Sequence, residues 1–162
     1  MSPAASSQYA CACSPSPANA PAHARTASAA RWFGAALRLL PQTAPCEERV
    51  TLLLAHAGAL TATGQFADSH TDLLECYEIA ARGARDWHVR VTTACAAIEH
   101  LLGLQREAHG HLATALAELG DAESAEAVEL MIELTVDGSY VGDFDAMRGW
   151  AGRAVTQRRR RA

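Results

Sequence analysis

The stretch LTATGQFADSHTDLLEC, residues 60–76, decides the fold. Two related stretches follow it: EHLLGLQREAHGHLATA at 99–115 and GSYVGDFDAMRGWAGRA at 138–154. The glycines inside them, Gly64, Gly103 and Gly142, are spaced 39 residues apart both times. Other positions keep the same interval. Fourteen residues before each glycine stand Val50, Val89 and Val128. Seven before stand the small residues Ala57, Ala96 and Thr135. Two after stand Phe66, Gln105 and Phe144. Nine after stand Leu73, Leu112 and Ala151, and twelve after stand the small residues Cys76, Ala115 and Ala154. Helix-hairpin packing accounts for this pattern. A small residue midway along each helix lets two backbones approach closely. The glycine takes a left-handed turn at no steric cost, and the aromatic plugs the closed end. A hairpin leaves one apolar face uncovered, so neighbours must stack to complete a core.

Outward from these turns the Ala/Leu-rich text predicts helices over 47–63, 67–82, 86–102, 105–119, 122–140 and 144–157. Earlier, RWFGAALRLLP (31–41) places Trp32, Phe33, Ala36, Leu37 and Leu40 at helical spacing before Pro41 stops the run. No stretch alternates Val, Ile or Tyr with period two. The expectation is an all-α solenoid of antiparallel hairpins over residues 29–157. Residues 1–28 are two-thirds Ala, Ser and Pro, too poor in side chains worth burying to offset their ordering, and are expected to be a disordered tail. Residues 158–162 are expected to form a basic C-terminal tail.

The whole chain has 162 residues, room for one domain. All 14 basic residues are Arg, which excludes a P-loop and Schiff-base chemistry, since both need a Lys. Aromatics at 6% argue against a base-stacking platform, and a net charge of −4 gives no broad pull toward nucleic acid or anionic lipid. No apolar run spans a membrane, and the N-terminus lacks the pattern of a signal peptide. The Ala-plus-Arg composition fits a GC-rich coding sequence, hence a bacterial cytoplasmic protein. Five Cys without a CxxC read as reduced thiols.

The hairpin pattern resembles the tetratricopeptide repeat, although the period of 39 exceeds the usual 34, Gln105 replaces an aromatic and Met147 a small residue. RWFGAALRLLP (31–41), LTATGQFADSHTDLLE (60–75) and AIEHLLGLQREAHGHLATALAEL (97–119) also resemble the helical middle region of large LuxR-type, MalT-like transcriptional regulators of actinobacteria. In that family an ATPase precedes the repeats and a helix-turn-helix follows them. This chain shows neither, so the resemblance implies a fragment or remnant of such a regulator: a non-catalytic interaction scaffold with a protein or peptide partner, possible self-association and no direct DNA binding. The alternatives are a stand-alone tetratricopeptide-like adaptor that holds a peptide in its groove and, more distantly, a small hydrolase or metal protein.

No catalytic, cofactor or metal residues are assigned from the sequence. His100, His109 and His111, with Glu107, invite a metal reading. However, His109 and His111 point to different sides of a helix, so surface histidines are expected. Cys76 and Cys95 read as buried small hydrophobes. Glu118, Asp121, Glu123, Glu126, Glu129 and Glu133 read as a solvated acidic face near a helix N-terminus, with docking of a basic partner as the alternative. Arg158 to Arg161 are weak grounds for phosphate contact. Trp32, Phe33, Phe66, Trp87, Phe144 and Trp150 are expected in the core.

Overall fold

The computed structural model describes residues 20–161 apart from residues 42, 83, 84 and 122. These form seven α-helices: α1 (Ala20–Leu39), α2 (Cys46–Ala62), α3 (Phe66–Arg82), α4 (Arg85–Leu102), α5 (Gln105–Glu118), α6 (Ala125–Val141) and α7 (Phe144–Arg161). No strand occurs among the described residues. None of the helices is long and apolar enough to cross a membrane.

The three turns share one local chemistry. Gly64, Gly103 and Gly142 all adopt positive φ, at 78°, 79° and 73°. After α2 the Gln65 N–H reaches back to the Leu60 carbonyl (2.9 Å) and the Gly64 N–H to that of Thr61 (3.0 Å). After α4 the Leu104 N–H bonds the Glu99 carbonyl (2.8 Å) and the Gly103 N–H that of His100 (3.2 Å). After α6 the Asp143 N–H bonds the Gly138 carbonyl (2.9 Å). These are the bonds of a Schellman cap, which satisfies the last carbonyls of a helix and requires a left-handed residue that only glycine supplies without strain.

Each helix packs on the next in sequence, and α4 also touches α2 and α6. The small residues sit where helices close on one another. Ala57, Cys76, Ala96, Ala108, Ala115 and Ala154 are all buried. Ser69 is buried too, and its hydroxyl donates to the Ala57 carbonyl (3.0 Å), so α3 lies close against α2. The tightest crossing is at Gly138. A Cβ there would stand 3.1 Å from the Asp143 carbonyl oxygen and from the Met147 amide nitrogen. Met147, the large residue at a small-residue position, is accommodated by a glycine opposite it.

Several expectations need correction. The helix expected from residue 29 begins at Ala20, so α1 takes in the end of the segment expected to be a tail. Residues 1–19 lie outside the described ones. The helix expected from residue 122 begins at Ala125, where the Ser124 hydroxyl accepts the Ala127 N–H (3.0 Å) and caps it. The expected basic tail is helical: α7 continues through the Arg run to Arg161. Two aromatics assigned to the core are exposed, Trp32 at 76% and Phe144 at 60%. Trp87 and Trp150 instead pack at the edges of apolar clusters, as do Phe33 and Phe66.

Candidate functional site

In a chain without Lys, histidine supplies most of the polar bridges between helices among the described residues. His56, His70, His88, His100, His109 and His111 each lie within hydrogen-bond or ion-pair distance of a carboxylate. Two of those carboxylates are buried, and each receives two imidazoles.

The first is Glu99 on α4, 1% exposed. His70 Nε2 approaches from α3 at 3.1 Å and His111 Nδ1 from α5 at 3.1 Å. The Cys95 thiol, one turn earlier on α4, donates to the same carboxylate at 3.4 Å. Cys95 is itself fully buried, packed with Ala57, Leu73 and Ile98. Burial, and then the adjacent Glu99, raise its thiol pKa above the ordinary value. The second carboxylate is Asp137 on α6. His100 Nε2 donates to one oxygen (3.0 Å) from α4, and His109 Nδ1 to the other (2.7 Å) from α5. The His100 ring lies flat on Tyr140, with centroids 4.3 Å apart and planes 6° from parallel. Buried polar groups must find partners, and these satisfy one another across four helices, α3 to α6.

A third arrangement is incomplete. His88 Nε2 is buried without a hydrogen-bond partner, 3.5 Å from a Glu118 oxygen. The Tyr77 ring packs against both His88 and His111, at 5.5 and 4.8 Å between centroids. His88, Glu118 and Glu126 border a cleft of about 600 Å3 with Val89, Ala115 and Leu119.

The three histidines weighed from the sequence therefore do not converge. His111 serves Glu99, whereas His100 and His109 serve Asp137. The expectation of surface histidines fails for His100, which is buried, and holds for His109, which is exposed. Their carboxylate partners went unrecognised because they lie 12 to 37 residues away. Cys76 is buried as expected, and burial pushes its thiol up to about 12. The acidic stretch is only partly a solvated face. Glu126 and Glu129 are exposed, but Glu133 turns inward, and burial followed by repulsion from Glu129 raises its carboxyl above the ordinary value. Arg160 of the basic run donates to Glu123 of the acidic stretch (3.0 Å), so these two surface features meet each other.

Comparison with known proteins returns no matching family model, no similar curated protein and no similar solved structure.

Proposed function

We propose that this protein is a non-catalytic interaction scaffold: a tetratricopeptide-like solenoid with a 39-residue period that holds a peptide or helical segment of a partner protein along the row α2, α4 and α6. The observation that carries the reading is the composition of the part of that row's exposed face nearest the glycine turns. Gly58, Ala97 and Val136 occupy one register position on the three helices, and Ala62, Leu101 and Tyr140 the next. All six are exposed, and all are small or apolar apart from the tyrosine hydroxyl. A row of that kind is smooth near α2 and grows bulkier toward α6, which suits a partner with apolar side chains of graded size. The equal turns and the packing of α4 on both α2 and α6 support the stacked arrangement.

The resemblance of residues 31–41, 60–75 and 97–119 to LuxR-type regulators would place this scaffold in bacterial signalling, as the segment through which such a regulator senses a partner. The stand-alone adaptor remains the other version of the same reading. Neighbouring reading frames separate them: an ATPase upstream and a helix-turn-helix downstream mark the regulator.

The test is site-specific photo-crosslinking in the native cell. A crosslinking residue at Leu101 or Val136 captures a defined protein that the same residue at Thr71, exposed on α3, does not. Equal capture at both places, or none at the α2/α4/α6 face, sinks the reading.

A further inference from the structure

We propose that His70, Cys95 and Glu99 form a binding site for one divalent transition-metal ion of the zinc class. The imidazole nitrogen, the thiol sulfur and a carboxylate oxygen of these residues all lie within 4.8 Å of one another. Two of the separations are shorter: His70 Nε2 to Glu99 Oε1 is 3.1 Å, and Cys95 Sγ to the same oxygen is 3.4 Å. Metal–ligand bonds of about 2.0–2.3 Å at tetrahedral angles put ligand atoms about 3.3–3.8 Å apart. Small side-chain rotations therefore close the three donors on a single ion.

The placement follows from the helices. Cys95 and Glu99 are four residues apart on α4 and so share one face, and His70 reaches them from α3. Cys95 and Glu99 are buried, while the His70 side chain keeps 18% of its surface exposed. An ion enters past that imidazole, and water completes the fourth position. His111 bonds the other Glu99 oxygen (3.1 Å) and is itself packed by Tyr77, so the carboxylate is aimed before any metal arrives. A mixed nitrogen, sulfur and oxygen set selects zinc-like ions over calcium and magnesium, which take oxygen alone. The Asp137 cluster differs: no thiol joins its two imidazoles.

Binding follows a simple proton balance. The Cys95 S–H bond breaks, the proton leaves to solvent and the sulfur bonds the ion. His70, whose Nε2–H bonds Glu99 in the metal-free chain, moves its ring proton through water to Nδ1 and so presents a neutral Nε2 lone pair. Thiolate and carboxylate together cancel the charge of the dication. No electron is transferred, and one proton is released per ion. The bound ion ties α3 to α4 and so joins successive hairpins.

The test uses the full chain carrying Cys11→Ser, Cys13→Ser and Cys46→Ser, reduced and stripped of metal, so that the remaining thiols are Cys76 and Cys95. Titration with Co2+ is expected to give one ion per chain, a thiolate-to-cobalt charge-transfer band and release of about one proton. Zn2+ displaces the cobalt one for one. Adding Cys95→Ser abolishes the band, and adding Cys76→Ser leaves it. His111→Gln, which only loosens the carboxylate, weakens affinity by about 10-fold, and His70→Gln weakens it further. Should Cys95→Ser fail to fold, His70→Gln at the partly exposed rim still decides. A parent chain without the thiolate band overturns the proposal, as does an affinity unchanged by His70→Gln.

Discussion

The imidazole of His100 on α4 and the carboxylate of Asp137 on α6 are joined by a 3.0 Å hydrogen bond in which both side chains are almost wholly withdrawn from water. The bond spans 37 residues and links two helices that are not neighbours in sequence. Asp137 also holds His109 of the intervening α5. One carboxylate thus fastens three helices, and losing it leaves a buried imidazole with no acceptor. Asp137→Ala is expected to destabilise the domain by about 3 kcal/mol, the range seen when one member of a buried pair is removed. Asp137→Asn, which keeps one acceptor, costs less. Urea denaturation measures both, and an unchanged midpoint for Asp137→Ala would show that the pair contributes nothing.

Gly138→Ala tests the α6–α7 crossing. The new Cβ meets backbone atoms of Asp143 and Met147 at 3.1 Å, and backbone cannot swing aside as a side chain can. Overpacking of this kind costs about 1–3 kcal/mol. Gly149→Ala is the control, because a Cβ there meets nothing within 4 Å. A smaller loss at Gly138 than at Gly149 contradicts the crossing geometry.

Ala96→Leu tests the middle of the domain. Ala96 is fully buried in a cluster with Val89, Ala108, Leu112 and Leu134. Three added carbons have no space, so α4 and α5 must separate, at a cost of about 1–3 kcal/mol. Thermal unfolding followed by circular dichroism reads the loss.

The thiols should differ sharply in reactivity. Cys46 is exposed, whereas Cys76 and Cys95 are buried with thiols held protonated well above neutral pH. Iodoacetamide applied to the metal-free native protein at pH 8 is expected to modify Cys46 and to spare Cys76 and Cys95 until denaturant is added. Peptide mapping by mass spectrometry gives the answer, and labelling of Cys95 at the rate of Cys46 would show that α4 opens readily.

Glu133 carries a pH signature. Burial, and then Glu129, raise its folded pKa above the ordinary 4.5, with His100 opposing. The folded state therefore holds this proton at pH values where the unfolded state has released it. The resulting stability is complete below about 4.5 and is lost as pH rises through the folded value. Glu133→Gln imitates the protonated form, so it should stabilise the protein at pH 7 and do nothing near pH 4. The group is only half-buried, and solvent screening holds the gain to about 0.5 kcal/mol. A gain that persists at pH 4 would point to packing rather than charge.

The helices and their turns were legible because their causes are local. A left-handed turn needs a residue without Cβ, and three glycines at equal spacing announce three such turns wherever the rest of the chain lies. Helical spacing marks which residues face inward, so Ala57, Cys76, Ala96 and Ala115 could be placed in the interior from the text alone. The ends of helices were less legible. The start of α6 depends on the Ser124 cap, and α1 begins at Ala20, inside text whose Ala, Ser and Pro content gives no apolar stripe to read.

The chain's own text determined that it would be helical, where it would turn and which small residues would lie at close approaches. Only the tertiary structure decided which imidazole meets which carboxylate. Helical periodicity states the face a side chain occupies but not the residue opposite, and the partners of Glu99 and Asp137 come from separate helices up to 37 residues away. The meeting of His70, Cys95 and Glu99 belongs to that second kind of information. Two of the three share a helix face by spacing, but His70 joins them only because α3 packs on α4.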